Sequence, residues 1–262
     1  MAEKKFKYIY GPVNSWRLGV SLGIDPISRP EKICNLDCVY CQLGPTGVLA
    51  TQREVFVPAS EIVREVCALP EMKLDYLTFS GRGEPTLAKN LGEMIQSLRK
   101  VRREKIAVIT NSVLMGQPEV RTDLALADFV LAKLDACGPD TFGCVNRPLQ
   151  QQNFAAMVDG LKVFRKMFSG TLSLQLMFID ANRGRARDMA ELVRSIGADS
   201  IEINTPLRPS GVKPLSEAEL NEIKKIFHGL PLKTVYEAER QTVTAFDKAE
   251  TVKRHGRYDE SR

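Results

Sequence analysis

The segment Cys34-Asn35-Leu36-Asp37-Cys38-Val39-Tyr40-Cys41 puts three thiols within eight residues. For a chain of 262 residues with six cysteines, chance gives roughly 0.003 matches to this spacing. Cysteine thiolates are the ligands of iron–sulfur clusters. Three of them from one short loop leave one iron of a four-iron cluster without a protein ligand. An enzyme needs such an open position; an electron carrier does not. Structural zinc is the competing reading, and it normally takes four ligands, often as two Cys or His pairs. The only histidines, His228 and His255, lie far along the chain, and no second Cys pair sits near the first. A ferredoxin-type carrier wants four cysteines in another spacing. A disulfide framework would spread its cysteines along a short secreted chain.

Other chemistry-bearing residues gather where apolar runs end. Leu74–Phe79 runs into Ser80-Gly81-Arg82-Gly83-Glu84-Pro85-Thr86, where Gly81 and Gly83 allow close backbone approach. Asn111 follows the run ending at Thr110, either as a ligand contact or as the cap of a turn. In Phe129–Asp135, period-2 alternation puts Phe129, Leu131, Lys133 and Asp135 on one face. A lysine inside an apolar strand is costly unless paired, either by an anionic ligand or by Asp135. Asn182 ends the run before it. Arg147 and Arg208 lie in loops of the kind that recognise phosphate or carboxylate, with ordinary solvation as the alternative. Cys67 reads as core, and Cys137 and Cys144 as free thiols or a second pair of cluster ligands.

The elements that must position these residues alternate between strand and helix. Strands are predicted at Leu18–Ile24, Leu74–Phe79, Ile106–Thr110, Phe129–Leu134, Leu172–Ile179 and Ser200–Asn204, each an apolar or β-branched run bounded by Gly, Pro, Asn or Asp. Helical stripes lie between them. Met189, Leu192, Val193 and Ile196 make one, and Phe154, Met157, Val158, Leu161 and Phe168 another with Asn153 as N-cap. Ser216 to Glu219 reads as a capping box ahead of Leu220, Ile223 and Phe227. Ser60 would cap a helix carrying Ile62 and Val66, and Leu91 to Leu98 stripe a fifth. This alternation argues for an α/β fold with parallel strands, a partial (β/α)6 TIM-like barrel, with an open doubly wound sheet as the alternative. In either, ligands bind at the carboxyl ends of the strands.

With these residues in view, the chain resembles the radical S-adenosylmethionine (SAM) superfamily. The C-x3-C-x2-C spacing with an aromatic before the third cysteine matches that family's signature. The resemblance implies a 4Fe-4S cluster on Cys34, Cys38 and Cys41, whose open iron binds the methionine part of SAM. One electron then cleaves SAM to methionine and a 5′-deoxyadenosyl radical that abstracts hydrogen from a substrate. It implies that Tyr40 lies near the adenine and that Gly81, Gly83 and Glu84 stand for the family's Gly-Gly-Glu-Pro motif, with Glu84 on the ammonium. Arg82 replaces one motif glycine. Asn111, Lys133 and Asn182 would contact SAM. A low-potential electron donor, flavodoxin or ferredoxin, is implied as partner. Gly11-Pro12-Val13, Arg17 to Gly23, Cys41-Gln42-Leu43-Gly44, Lys133-Leu134-Asp135-Ala136 and Asn204-Thr205-Pro206 together resemble a branch similar to the wyosine-tRNA synthases. That branch points to tRNA as substrate, with Arg147 and Arg208 on phosphates. A small metabolite or a peptide is the alternative substrate, and a non-enzymatic iron–sulfur or zinc module the alternative function. No cysteine precedes Cys34, where the wyosine enzymes hold a second cluster.

Composition sets the outer bounds. Hydrophobic residues make up 44% and charged residues 26%, as for a globular core. The net charge of +5 is compatible with RNA and equally with a solvated surface. No apolar run approaches the roughly 20 residues of a membrane span, and Met-Ala-Glu-Lys-Lys-Phe-Lys is followed by no apolar stretch, so a cytoplasmic protein without membrane contact is expected. The core is expected to fill 1–236. A charged helix or tail fills 237–262, with Lys248, Lys253, Arg254, Arg257 and Arg262.

Overall fold

The computed structural model describes residues 6–149, 152–237 and 243–256. The charged start of the chain, and Arg257 and Arg262 of the tail, lie outside the described residues. Eight strands form one sheet: β1 (Ile9–Ser15), β2 (Gly19–Ile24), β5 (Tyr76–Phe79), β6 (Lys105–Thr110), β7 (Phe129–Lys133), β8 (Thr171–Met177), β9 (Ser200–Asn204) and β10 (Leu232–Thr234). A separate parallel pair, β3 (Ile33–Cys34) and β4 (Val48–Leu49), holds the first cysteine.

Strand order in the sheet follows chain order throughout. A doubly wound sheet would reverse at a switch point, so the barrel alternative is the one realised. Every pairing from β2 to β10 is parallel, and β1 alone runs antiparallel, on β2. The barrel is open: among the described residues β10 does not pair with β1. All six anticipated strands are present, with ends exact or shifted by at most two residues. β8 stops at Met177 because Asn182 turns the chain, accepting the Ile179 N–H at 2.8 Å.

Helices α1 (Ala59–Cys67), α2 (Leu91–Arg99), α3 (Pro118–Leu124), α4 (Pro139–Asn146), α5 (Phe154–Met167), α6 (Ala186–Ile196) and α7 (Glu217–Ile226) cover the outside. Asn153 caps α5, and Ser216 with Glu219 forms the capping box of α7. Ser60 is not a cap; α1 starts one residue earlier, behind Pro58, whose fixed φ suits a helix start.

The alternation along β7 explains the barrel interior. Phe129 and Leu131 pack inside with Leu18, Ala107, Tyr76 and Ile109, apart from the main core between sheet and helices. Leu18 belongs to the β1–β2 turn, which closes the barrel floor. Arg17 of the same turn donates to Gln175 at 2.7 Å and pairs with Glu202, whose other oxygen accepts from Ser173 at 3.0 Å. Lys133, Gln175 and Glu202 are in register on adjacent strands, so a polar layer lies above the apolar floor. Burial pushes the Glu202 carboxyl up against the pull of Arg17.

The last described element, α8 (Lys248–His255), packs on β1. Gly11 N–H donates to Thr251 at 3.0 Å, and buried Arg254 pairs with Asp25 at 3.2 Å and donates to the Lys7 carbonyl at 2.6 Å. Arg208, beyond β9, donates to the His255 carbonyl at 2.6 Å and to Gln42 at 2.9 Å. Together these contacts bridge the side where the sheet does not close.

Candidate active site

The cysteine loop follows β2 and lies over the carboxyl ends of the parallel strands. Backbone bonds fix both its flanks. Ile33 N–H donates to the Arg82 carbonyl at 3.2 Å and Glu84 N–H to the Ile33 carbonyl at 3.1 Å; on the other flank Asp37 N–H reaches the Asn146 and Arg147 carbonyls and Val39 N–H the Val145 carbonyl. Gly83 is required here, because a Cβ would stand 1.9 Å from the Ile33 carbonyl oxygen. A Cβ on Gly81, at φ +147°, would stand 2.4 Å from the Asp25 carboxyl carbon. These two glycines therefore let the Gly81–Glu84 loop pair with the strand that carries Cys34.

Glu84 is 2% exposed. One oxygen accepts from Thr86 Oγ1 and Thr110 Oγ1, both at 2.6 Å, and from Thr86 N–H at 3.1 Å; the other accepts Asn111 N–H at 2.7 Å. A carboxylate offers about four lone-pair sites, so the second oxygen retains acceptor capacity. Burial pushes the Glu84 carboxyl up, and these donors oppose it. The Asn111 side chain reaches the loop, donating to Asn35 Oδ1 at 2.6 Å and to Cys34 Sγ at 3.6 Å.

Asp135 builds the other corner. It accepts from Tyr40 OH, from Asn146 Nδ2 at 3.1 Å and from Met177 N–H at 2.8 Å. Asn146 Nδ2 also lies 3.4 Å from Cys38 Sγ. Lys133 Nζ sits 3.7 Å from Asp135 and 4.4 Å from the Tyr40 ring centre, and among the described residues it makes no hydrogen bond. Its three donors therefore stand in a partly buried place largely unspent.

The fold brings Cys34, Cys38, Cys41, Tyr40, Gly81, Gly83, Glu84, Asn111 and Lys133 to one end of the barrel. Tyr40 and Asn182 are turned inward. Tyr40 is 5% exposed with its hydroxyl on Asp135, and Asn182 is fully buried, spending its amide on the carbonyls of Asp135 and Met177. Exposed Arg147 ends α4, while Arg208 is held by Gln42 and His255. Asp135 as an organiser and Asn146 as a donor to sulfur were not anticipated. The alternation signalled that Asp135 shares a face with Lys133; nothing in the sequence tied Asn146 to Cys38. Cys67 and Cys144 are exposed, and Cys137 has Thr141 at 3.8 Å.

The donor set suits an iron–sulfur cluster. Burial pushes the Cys34 thiol up to about 12 and raises that of Cys38, so only the charge of bound iron would hold them as thiolates. Amide N–H groups already point at both sulfurs, the kind of contact that tunes such clusters. Among the described residues no three side chains converge on a single metal ion. A cluster, in which each thiolate binds a different iron, does not require such convergence.

Comparison with known proteins agrees with this geometry. Residues 30–196 match the family model described as the Radical SAM superfamily. The chain is 40% identical to the UPF0026 protein slr1464 of Synechocystis sp., over 80% of this chain and 78% of that protein. Among solved structures it resembles TYW1 with a lysine-pyruvate adduct bound, with a TM-score of 0.64 at 15% identity over 80% of this chain and 74% of that one. It also resembles native anSMEcpe with bound AdoMet, with a TM-score of 0.60 at 16% identity over 82% and 64%.

Proposed function

The chain belongs to the radical SAM superfamily and, within it, to the UPF0026 proteins, and on that premise we propose that its substrate is RNA, with tRNA foremost. It is a radical SAM enzyme whose cofactors are a 4Fe-4S cluster and SAM, and like its family it needs a reductant. None of the described helices is long and apolar enough to cross a membrane.

The observation that carries the site assignment is the pair of amide-to-sulfur contacts, from Asn111 to Cys34 and from Asn146 to Cys38. In this reading Cys34, Cys38 and Cys41 hold three irons, and the bound cluster supplies the electron that cleaves SAM. The free acceptor capacity of Glu84 meets the SAM ammonium, and the unspent donors of Lys133 meet its carboxylate. Gly81 and Gly83 keep the loop low enough for that approach. Tyr40 and Asn182 act behind these groups, holding Asp135 and the end of β8.

The RNA reading is supported by the likeness of the motifs to wyosine-tRNA synthases, by the net charge of +5 and by exposed Arg147 beside the cysteine loop. Arg208 is the weaker phosphate ligand, because its guanidinium already serves Gln42 and His255. The polar layer of Arg17, Gln175 and Glu202 favours a second reading, a small polar metabolite held inside the barrel.

The test combines turnover with mass. Reduced enzyme should release 5′-deoxyadenosine, and Cys38→Ala should abolish this together with bound iron. Bulk tRNA should bind with a steep salt dependence, lowered by about one in slope in Arg147→Ala, and digested product should carry a nucleoside of changed mass. Failure of tRNA to bind at low salt or to stimulate release would move the assignment to the small metabolite.

A further inference from the structure

The two flanks of the cysteine loop face different surroundings. The Asp37 flank leans on the end of α4, and the Ile33 flank leans on Arg82 and Gly83. Beside Arg82 lies a concavity of about 500 Å³ whose lining includes Lys7, Arg29, Arg82, Lys253 and Arg254 against one acid, Glu250. Arg254 is committed to Asp25 and Glu250, and Lys253 to Glu250. Arg29 and Arg82 make no side-chain hydrogen bond or ion pair among the described residues, and Lys7 has only the Tyr8 ring at 5.2 Å. Three cations are thus available to a ligand, two of them, Lys7 and Arg29, exposed.

Apolar surface adjoins them. Val48 and Leu49 of β4 are 40% and 44% exposed. They stand in register with Ile33 and Cys34, and Val48 N–H bonds the Lys32 carbonyl at 3.0 Å, three residues from Arg29. Exposed Glu31 is the one acid between Arg29 and Lys32. Two aliphatic side chains therefore lie exposed on the strand paired with a cluster ligand, next to a basic concavity.

We infer that this face is the docking surface for a small acidic one-electron carrier protein that reduces the cluster. The inference rests on the radical SAM assignment, which supplies the need for an electron. Weak redox encounters bury little area, and a small surface that sets apolar side chains beside cations offers both the apolar contact and the charge such an interface uses. Complementary charge mainly raises the association rate and makes it salt-dependent. An RNA backbone would use the cations but gain nothing from exposed Val48 and Leu49. The site also lies across the cysteine loop from Arg147, so carrier and substrate need not compete. In the transfer itself a flavodoxin hydroquinone loses one electron and becomes the semiquinone; the oxidised cluster gains that electron, and no bond is made or broken in this chain. Helix α8 supplies Lys253 and Arg254, so the segment that bridges the open side of the barrel also builds one wall of this surface.

The experiment uses holoenzyme and purified flavodoxin, with binding read by fluorescence anisotropy and turnover by 5′-deoxyadenosine release. The Lys7→Glu/Arg29→Glu double variant should weaken flavodoxin binding about tenfold at low salt, and the deficit should shrink at high salt. Val48→Ser should weaken it by roughly threefold with little salt dependence. Both variants should match wild type when dithionite, which needs no docking, is the reductant. Unchanged flavodoxin affinity in both variants would overturn the proposal. So would variants that lose tRNA binding while keeping flavodoxin, which would make the face an RNA site. Equal impairment with dithionite would trace the effect to a disturbed cluster loop and also overturn it. Absence of 5′-deoxyadenosine from wild type with dithionite would instead refute the enzyme assignment, and flavodoxin affinity would still be read separately.

Discussion

Glu84 and Asp135 are buried carboxylates on opposite flanks of the cysteine loop, and each orients an asparagine toward a cysteine sulfur. Glu84 fixes the backbone of Asn111, whose amide reaches Cys34; Asp135 holds the amide of Asn146, which reaches Cys38. Their surroundings differ. Glu84 is stabilised by neutral donors alone, from Thr86, Thr110 and Asn111, and burial pushes its carboxyl up. Asp135 adds a cation, Lys133, and a tyrosine hydroxyl. A carboxylate held by neutral dipoles can still take a cationic partner, whereas one already facing a lysine leaves that lysine to find an anion. On the reading proposed above, the first of these would receive the ammonium of SAM and the lysine beside the second its carboxylate.

The sharpest way to break the comparison is Asp135→Ala. It strands a tyrosine hydroxyl, an amide, a backbone N–H and a lysine in a buried corner. Removing one member of such a buried set costs about 3–5 kcal/mol, which for a chain of this size lowers the melting temperature by roughly 10 °C. A drop of less than about 2 °C would mean that Asp135 organises nothing.

Glu84→Gln should cost less, about 1–3 kcal/mol, since one acceptor becomes a donor among donors. Its pH dependence separates the two corners. The raised folded-state value means that protonated Glu84 is favoured by folding. Its contribution is full below the ordinary carboxylate pKa and is lost as pH rises through the raised one. The melting-temperature deficit of Glu84→Gln against wild type should therefore shrink as pH rises from about 4 toward neutrality. A constant deficit across that range would show that burial does not govern this carboxyl.

The smallest effects are expected one step further out. Asn111→Ala and Asn146→Ala each remove a donor from a sulfur, which disfavours the more negatively charged reduced cluster. Each should lower the reduction potential by a few tens of millivolts, given about 59 mV per tenfold for one electron, with iron content unchanged. Redox titration decides whether the two asparagines are equivalent, and a shift in only one would end the parallel.

Much of this was legible from residue types and spacing. The cysteine loop, the glycine loop with Glu84, the six parallel strands and the shared face of Lys133 and Asp135 all follow from local patterns of the kind that sequence preserves. Asn146 was not legible as a donor to Cys38, because 108 residues separate them and an asparagine near a helix end reads as a turn. Tyr40 and Asn182 show the opposite difficulty. A polar side chain in a loop, such as Tyr40 between two cysteines or Asn182 beyond β8, looks the same in sequence whether it faces a ligand or braces a backbone, and the fold shows that both are buried. Strand β1 was hidden by Gly11-Pro12, which breaks the apolar run, and α8 by the polar character of its docking through Thr251 and Arg254.

The strand order, which follows the chain, also sets a timetable. Neighbouring strands are joined by the β1–β2 hairpin or by crossovers of one or two helices, the β2–β5 crossover also carrying the β3–β4 pair, so most of the sheet assembles from contacts between consecutive segments. The ties that hold α8 to the first strands are of another kind: Asp25 to Arg254, Gly11 to Thr251 and Lys7 to Arg254 span 229, 240 and 247 residues. Loop-closure entropy must be met before such contacts return anything. The barrel is therefore expected to roll up like a scroll from its interior strands and to be fastened last by α8, whose amides should lose hydrogen-exchange protection before those of the central strands.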